Sequence, residues 1–429
     1  MRYDPINSDL FIQNRRKLAD RLKPRSVAIV HSNDIMPTNA DGRMGFMQNS
    51  NLFYLTGADQ EESSVLIAPD YPNEELREVL FLRETNEEVA VWEGHKLTKE
   101  EGSKISGIKS IKWNAEFERV FYTILAECDH IYLESNEHIR NSSLVETQNV
   151  RFIKACQAHY PLYHYERLFP ILQDLRCVKS PIELDLLQQA CKITEKGFRR
   201  VLQFVKPGVM EYEVEAEYLH EFVSNRSKGF AYDPIIGGGR NSCVLHYLNN
   251  NQELRDGDIL LMDVGAEYSN YNADMTRTIP INGRFTDRQK QVYNAVLRVK
   301  NAAIDLLNPG SRIPEYHAEI GKIMEGELVA LGLITMDDIK NESPHRPAYK
   351  KYFMHGTSHH LGIDVHDVAS VYQVFEPGMV LTVEPGIYIP EENLGVRLED
   401  DIVITEGGHI NLMRDIPIEA GEIEEIMNQ

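Results

Sequence analysis

Five residues in the C-terminal half of the chain carry most of its chemistry: Asp263, Asp274, His359, Glu384 and Glu399. Four are carboxylates and one is an imidazole. Each sits in a short apolar run that reads as a β-strand, and acids in such places are costly unless something positive pairs with them. Their combined formal charge of minus four suits two divalent cations held side by side, the arrangement of a two-metal hydrolase. Oxygen-rich ligation with one imidazole favours Mn2+ as the metal, with Zn2+ or Co2+ able to substitute. A single Asp or Glu on a hairpin would be read as a surface acid. Four acids at matching positions in apolar strands, with a His between glycines, argue for a site.

The elements that must position these groups are legible as a repeat. Ser180-Pro181-Ile182-Glu183 is a helix start with Ser as N-cap, Pro at the first helical position and Glu closing a capping box. That helix should run to about Val205, before Pro207-Gly208, and a second should span about Glu211 to Ser227. Gly237-Gly-Gly239 marks a turn, and a hairpin is expected from Asp258 to Thr278. The pattern then recurs. Thr286-Asp287-Arg288-Gln289 opens a helix to about Leu307, another covers Pro314 to Leu331, a polar loop spans Asn341 to Pro347, and a second hairpin is expected from Met379 to Thr405. Gly257-Asp-Ile-Leu-Leu-Met-Asp-Val-Gly265 matches Gly378-Met-Val-Leu-Thr-Val-Glu-Pro-Gly386, so Asp263 aligns with Glu384 and Leu245-His246 with Val365-His366. Two helix-pair-plus-hairpin halves imply a pseudo-twofold α+β domain whose ligands lie where the halves face each other. Each hairpin would then hold one acid at the end of its first strand and one on its return strand.

The N-terminal part reads as an α/β domain with a mixed sheet. Val27-Ala-Ile-Val30, Ser64-Val-Leu-Ile-Ala68, Val79-Leu-Phe-Leu82 and His130-Ile-Tyr-Leu133 are short apolar strands, and Leu10 to Leu22 and Glu116 to Cys128 have helical spacing. It holds no phosphate, dinucleotide or metal motif. We place the domains at residues 1–172 and 173–429. A net charge of −21 over 429 residues sets the chain against nucleic acid and anionic membranes. Cys128, Cys156, Cys177, Cys191 and Cys243 are scattered and odd in number, as reduced thiols of a cytosolic protein would be. Met1 to Leu10 is polar with no apolar targeting segment, and no run approaches the ~18 apolar residues of a membrane span. A cytoplasmic protein is expected.

Taken together, Asp263-Val-Gly-Ala, Ala273-Asp274-Met-Thr-Arg-Thr278, His355-Gly-Thr-Ser-His359, Thr382-Val-Glu384-Pro-Gly386 and Arg397-Leu-Glu399-Asp-Asp401 resemble the signature of the M24 metallopeptidases with the pita-bread fold. Gln48-Asn49-Ser50-Asn51-Leu52-Phe53-Tyr54-Leu55-Thr56-Gly57 and the tail from Ile416 to Met427 resemble Xaa-Pro aminopeptidases within that family. The resemblance implies that Asp263 chelates one metal, His359 and Glu384 the other, and that Asp274 and Glu399 bridge both. It assigns proton transfer to Glu384, and implies that His246 and His366 flank the cleft as hydrogen-bond donors. His355 is expected behind the ligands or in the proline pocket. Arg397, two residues before Glu399 on the same strand face, is expected to orient Glu399, to contact substrate beyond the proline, or to form a simple ion pair. His360 departs from the family pattern, standing where an aromatic residue is common.

The activity implied is hydrolysis of the bond between an N-terminal residue and a following proline, by a homodimer or homotetramer. A prolidase, restricted to Xaa-Pro dipeptides, is the nearest alternative. A non-enzymatic pita-bread binding module is a third, set against by the complete ligand set.

Overall fold

The computed structural model describes residues 3–343 and 346–429. Pro344 and His345, within the expected loop from Asn341 to Pro347, and Met1 and Arg2, at the expected polar start, lie outside the described residues. The chain forms two compact units, Tyr3–Arg176 and Cys177–Gln429.

The first unit is a six-stranded sheet of β1 (Ser26–His31), β2 (Ser64–Ile67), β3 (Glu78–Leu82), β4 (Ser110–Trp113), β5 (His130–Leu133) and β6 (His164–Arg167), in the order β4-β3-β2-β1-β5-β6. Only β2 runs antiparallel to its neighbours. Helices α1 (Asp9–Ala19), α2 (Ser50–Thr56), α3 (Glu87–Glu93), α4 (Lys99–Ser106), α5 (Phe117–Leu125), α6 (Gln148–His159) and α7 (Phe169–Cys177) accompany it. β1, β2 and β3 are buried almost throughout, because helices cover both faces, as a sheet with parallel strands requires. Val27, Ile29, Leu66, Val79, Phe81 and Ile131 build one side of that core against Phe121 and Ile124 of α5. The two strands absent from the sequence reading, β4 and β6, are the sheet edges. Ser-Ile-Lys-Trp and His-Tyr-Glu-Arg are only half buried or exposed, so they lack the apolar run that marks an interior strand.

The second unit opens with α8 (Pro181–Phe204), whose capping box joins Ser180 and Glu183 in both directions, followed by α9 (Glu211–Ser224). Then come β7 (Ile235–Gly238), β8 (Ile259–Asp263), β9 (Glu267–Tyr268), β10 (Tyr271–Asn272) and β11 (Thr276–Pro280). The second half repeats this with α10 (Asp287–Asp305), capped by Thr286 and Gln289, and α11 (Ile313–Ala330). A short α12 (Met336–Lys340) precedes β12 (Val380–Val383), β13 (Gly386–Ile389), β14 (Leu394–Arg397), β15 (Asp400–Thr405) and β16 (Gly408–Asn411), and α13 (Ala420–Met427) closes the chain.

The expected hairpins are present but neither is continuous. β8 pairs with β11 as far as Asp263 opposite Thr276, and a separate ladder, β9 with β10, takes over at Glu267 opposite Asn272. In the second half β12 pairs with β15 as far as Val383 opposite Asp400, and β13 with β14 takes over at Gly386 opposite Arg397. Asp263 ends β8, whereas Asp274, Glu384 and Glu399 lie in the two breaks, and His359 lies in an irregular segment. This corrects the reading of those four ligands as strand residues. The cause is local. A Cβ on Gly265 would come within 1.8 Å of the Ala273 carbonyl oxygen, so the strands cross there at a distance only glycine permits. In the second hairpin Pro385 has no N–H to give the ladder, and only its carbonyl is used, by Leu398 N–H at 3.3 Å. Each break turns backbone and acids out of the regular pleat at equivalent positions. The halves join where Glu399 N–H donates to the Thr276 carbonyl at 3.0 Å and where Thr278 Oγ1 donates to the Arg397 carbonyl at 3.1 Å.

Candidate metal centre

Three of the five expected ligands already share one point. Single ligating atoms of Asp274, His359 and Glu399 all lie within 4.8 Å of one another. His359 Nε2 is 3.3 Å from Asp274 Oδ2 and 3.5 Å from Glu384 Oε1. Its Nδ1 is 3.0 Å from its neighbour's carbonyl, that of His360, and donates there. The lone pair of Nε2 then faces the carboxylates, the tautomer a metal-binding imidazole needs. Asp263 joins the group through Tyr232, whose hydroxyl lies 2.6 Å from Asp263 Oδ1 and 2.6 Å from Asp274 Oδ1.

The supporting hydrogen bonds spread from two residues. Thr276 Oγ1 donates to Glu399 Oε2 at 2.6 Å and accepts from Arg397 Nε at 3.0 Å. Arg397 also donates to Asp263 Oδ2 at 2.6 Å and to the Tyr388 hydroxyl at 2.8 Å. Its guanidinium therefore pairs with Asp263 directly, the ion-pair alternative, and reaches Glu399 through the Thr276 hydroxyl. Tyr388 in turn meets His355 Nε2 at 2.7 Å, and His355 Nδ1, 2.7 Å from the Gly356 carbonyl, is 3.5 Å from Glu384 Oε2. Burial pushes His355 down to about 3, so it is neutral and accepts from Tyr388. On the far side, Asp401 Oδ2 accepts the Asp274 N–H at 3.1 Å and the Cys191 thiol at 3.4 Å.

The electrostatics call for cations. Burial first, then the neighbouring acids, raises Asp263, Glu384 and Glu399 above the usual carboxylate range, Glu384 to about 7. Burial disfavours charge on His359 too, but the hydrogen bond to Asp274 and the charge of Glu384 outweigh it and lift the ring to about 9. A proton and a metal ion compete for the same nitrogen lone pair, and metal binding would displace that proton. Four carboxylates, Asp274 and Glu399 buried and Asp263 and Glu384 partly so, with one guanidinium in contact, are under-neutralised, and their mixed carboxylate and imidazole donors fit hard divalent metals. The residues present fit the group.

Residues 185–406 match the family model described as metallopeptidase family M24, and residues 11–132 match that of the aminopeptidase P N-terminal domain. The chain belongs to metallopeptidase family M24. Its second unit has the pita-bread fold of that family, and the M24 match spans all five candidate ligands. Among M24 relatives, the Xaa-Pro aminopeptidase of Escherichia coli is 34% identical over 98% of both chains. Human Xaa-Pro aminopeptidase 3 is 30% identical over 94% of this chain and 80% of that one. A solved structure of a single-residue variant of Escherichia coli aminopeptidase P in complex with substrate is 32% identical, with a TM-score of 0.88 over 99% of both chains.

The outer histidines of this M24 site are placed unequally. The His366 ring stands 4.4 Å from that of His359, at right angles to it. His246 is exposed on the turn after Gly239–Cys243. His360 is buried, and neither ring nitrogen has a hydrogen-bond partner among the described residues. Sequence reasoning missed Tyr232, Thr276, Asp401 and His317. Tyr232 lies in an irregular loop with no periodicity to flag it. Thr276 carried a faint signal, two residues after Asp274 in the same motif.

Proposed function

We propose that this chain is an Xaa-Pro aminopeptidase, hydrolysing the peptide bond between an N-terminal residue and a following proline. What carries the reading is the convergence of Asp263, Asp274, His359, Glu384 and Glu399 in a chain related to such enzymes over its whole length. Asp263, Asp274, His359, Glu384 and Glu399 would hold two divalent metals, with Asp274 and Glu399 the residues that would serve both. Two divalent metals there supply a nucleophile derived from water at neutral pH and Lewis-acid polarisation of the scissile carbonyl. Mn2+ is the preferred ion, with Zn2+ or Co2+ as substitutes.

The chain's own groups do the rest. Glu384, free of any arginine or lysine contact among the described residues, takes up the proton of the attacking water and returns it to the proline nitrogen. Proline leaves as a secondary amine, so that return is needed for expulsion. His366 and His246 donate hydrogen bonds to substrate carbonyl oxygens from opposite halves of the domain. His355, fixed by Tyr388 and the Gly356 carbonyl, holds the Glu384 side of the cleft. Arg397 acts through Asp263 and Thr276. Residues 173–429 carry this chemistry, and residues 1–172 serve subunit contact in a cytoplasmic homodimer or homotetramer. No helix among the described residues is long and apolar enough to cross a membrane.

Peptide length is the deciding measurement. Purified protein loaded with Mn2+ should cleave an Xaa-Pro-Xaa tripeptide and longer peptides at the first bond. Cleavage of Xaa-Pro dipeptides alone would make the chain a prolidase.

A further inference from the structure

Helix α11 reaches the loop that carries His359 through two adjacent side chains, His317 and Tyr316. His317 Nε2 lies 3.3 Å from the Thr357 nitrogen and 3.2 Å from the Ser358 nitrogen. Both are N–H donors, so Nε2 offers a lone pair and the ring is neutral, with its proton on Nδ1. Burial, helped by the positive charge of Lys350, pushes His317 down to about 4 and keeps that state across the working range. The ring also lies against Gly356, where a Cβ would come within 3.1 Å of His317 Cε1. The preceding residue adds a second hold, with the hydroxyls of Ser358 and Tyr316 3.2 Å apart.

The peptide units gripped in this way are those that set two ligands. Glu384 N–H donates to the Thr357 carbonyl at 2.8 Å. His359 follows Ser358 directly. Its N–H donates to Thr382 Oγ1 at 3.2 Å, and its carbonyl accepts the Thr382 N–H at 2.9 Å. A shift of the Thr357–Ser358 backbone therefore moves Glu384 and His359 together, and a displacement of about 1 Å is enough to cost a site most of its activity.

We propose that His317 is a positioning residue, whose imidazole fixes the spacing of His359 and Glu384 by accepting two consecutive N–H groups of the loop between them and α11. Among the described residues, no hydrogen bond or ion pair joins it to any of the five candidate ligands. The inference rests on the two-metal reading of the site, and the experiment separates the two.

His317→Phe keeps a ring against Gly356 and removes the acceptor, whereas His317→Gln restores an acceptor oxygen at nearly the same reach. Full-length wild type and both variants would be stripped of metal, titrated with Mn2+ by calorimetry, and assayed for kcat and KM on an Xaa-Pro-Xaa peptide. Outer groups that orient metal ligands are worth about 10- to 100-fold in affinity or activity. The Phe variant should lose about 10-fold or more in kcat and in Mn2+ affinity with KM little changed, and the Gln variant should recover most of both. A Phe variant within about twofold of wild type in both would overturn the proposal. So would a Gln variant as impaired as the Phe variant, since ring packing alone would then explain the loss. A wild type that neither binds Mn2+ nor cleaves would sink the metal reading itself, a different result from an active wild type matched by His317→Phe.

Discussion

The phenol oxygen of Tyr232 stands 2.6 Å from Asp274 Oδ1, and at the same distance from Asp263 Oδ1 on the other side. A phenol has one proton, so it donates to one carboxylate at a time and ties together two acids that would otherwise repel. Burial, and then the charges of Asp263 and Asp274, hold the hydroxyl well above the usual tyrosine range, so it stays a donor. Tyr232→Phe removes the donor and little volume. The expected outcome is Mn2+ binding weaker by about 10- to 100-fold, read by calorimetry, and a metal-free protein that melts below the metal-free wild type, because the two acids lose their shared donor.

Metal binding should also be visible as stability. The ligands belong to both halves of the second unit, Asp263 and Asp274 to one and His359, Glu384 and Glu399 to the other, so an ion held between them stabilises only the folded chain. At free Mn2+ about a hundredfold above its dissociation constant, the gain is about 2.7 kcal/mol. For a unit of this size that raises the melting temperature by about 5–10 °C over the chelator-treated protein. Asp274→Ala, which removes a proposed shared ligand, should abolish peptide cleavage and most of the thermal response. A stripped protein that melts where the loaded one does would count against the centre.

Much of this architecture was legible because the signals were local. The capping boxes at Ser180 and Thr286 marked helix starts that α8 and α10 reproduce, since the caps satisfy N–H groups by contacts three residues apart. The repeat was visible because Asp263-Val-Gly265 and Glu384-Pro-Gly386 each end an apolar run with an acid two residues before a glycine. The breaks themselves were not legible. That Gly265 crosses the Ala273 carbonyl is a fact about two strands, and a run of apolar letters around Asp274 or Glu399 reads as continuous pleat. Tyr232 and His317 went unseen for a related reason. One lies in a loop and the other on a helix outside every motif, and both act on residues 31 to 42 positions away. The edge strands β4 and β6 were missed because half-exposed strands carry mixed sequence. The passage between the compact units falls at the last turn of α7, and no composition change marks that turn.

Arg397 is almost wholly buried and holds Asp263, Tyr388 and Thr276 at once. Losing its charge would leave Asp263 beside Asp274 with no cation in contact, a penalty of about 3–5 kcal/mol when one partner of a buried pair is removed. Arg397→Met should therefore lower kcat/KM by about 100-fold or more. Arg397→Lys keeps the charge but cannot span three acceptors from one flexible amine. It should recover part of the metal affinity and little of the rate, measured as kcat at saturating Mn2+. Full activity in the Lys variant would show that charge alone suffices and that the fork geometry is incidental.

His31 gives the first unit a pH dependence separate from the metal centre. The residue ends β1, its ring is packed against Phe152 at 4.5 Å between centroids, and Nδ1 pairs with Ser64 Oγ at 2.7 Å. Burial lowers its pKa from 6.5 to about 4. Below pH 6.5 the unfolded chain takes a proton at this ring while the folded chain refuses it until about pH 4, so stability is lost as the pH falls through that window. Between pH 7.5 and pH 5 the loss from this one group is about 2 kcal/mol. Replacing it with a residue that cannot titrate, as in His31→Gln, should weaken the unit at pH 7.5 through lost packing yet flatten its acid response. Urea unfolding of the full chain, followed by a probe in the first unit at both pH values, gives the difference. If wild type and variant lose the same stability between the two pH values, His31 is not the group that titrates.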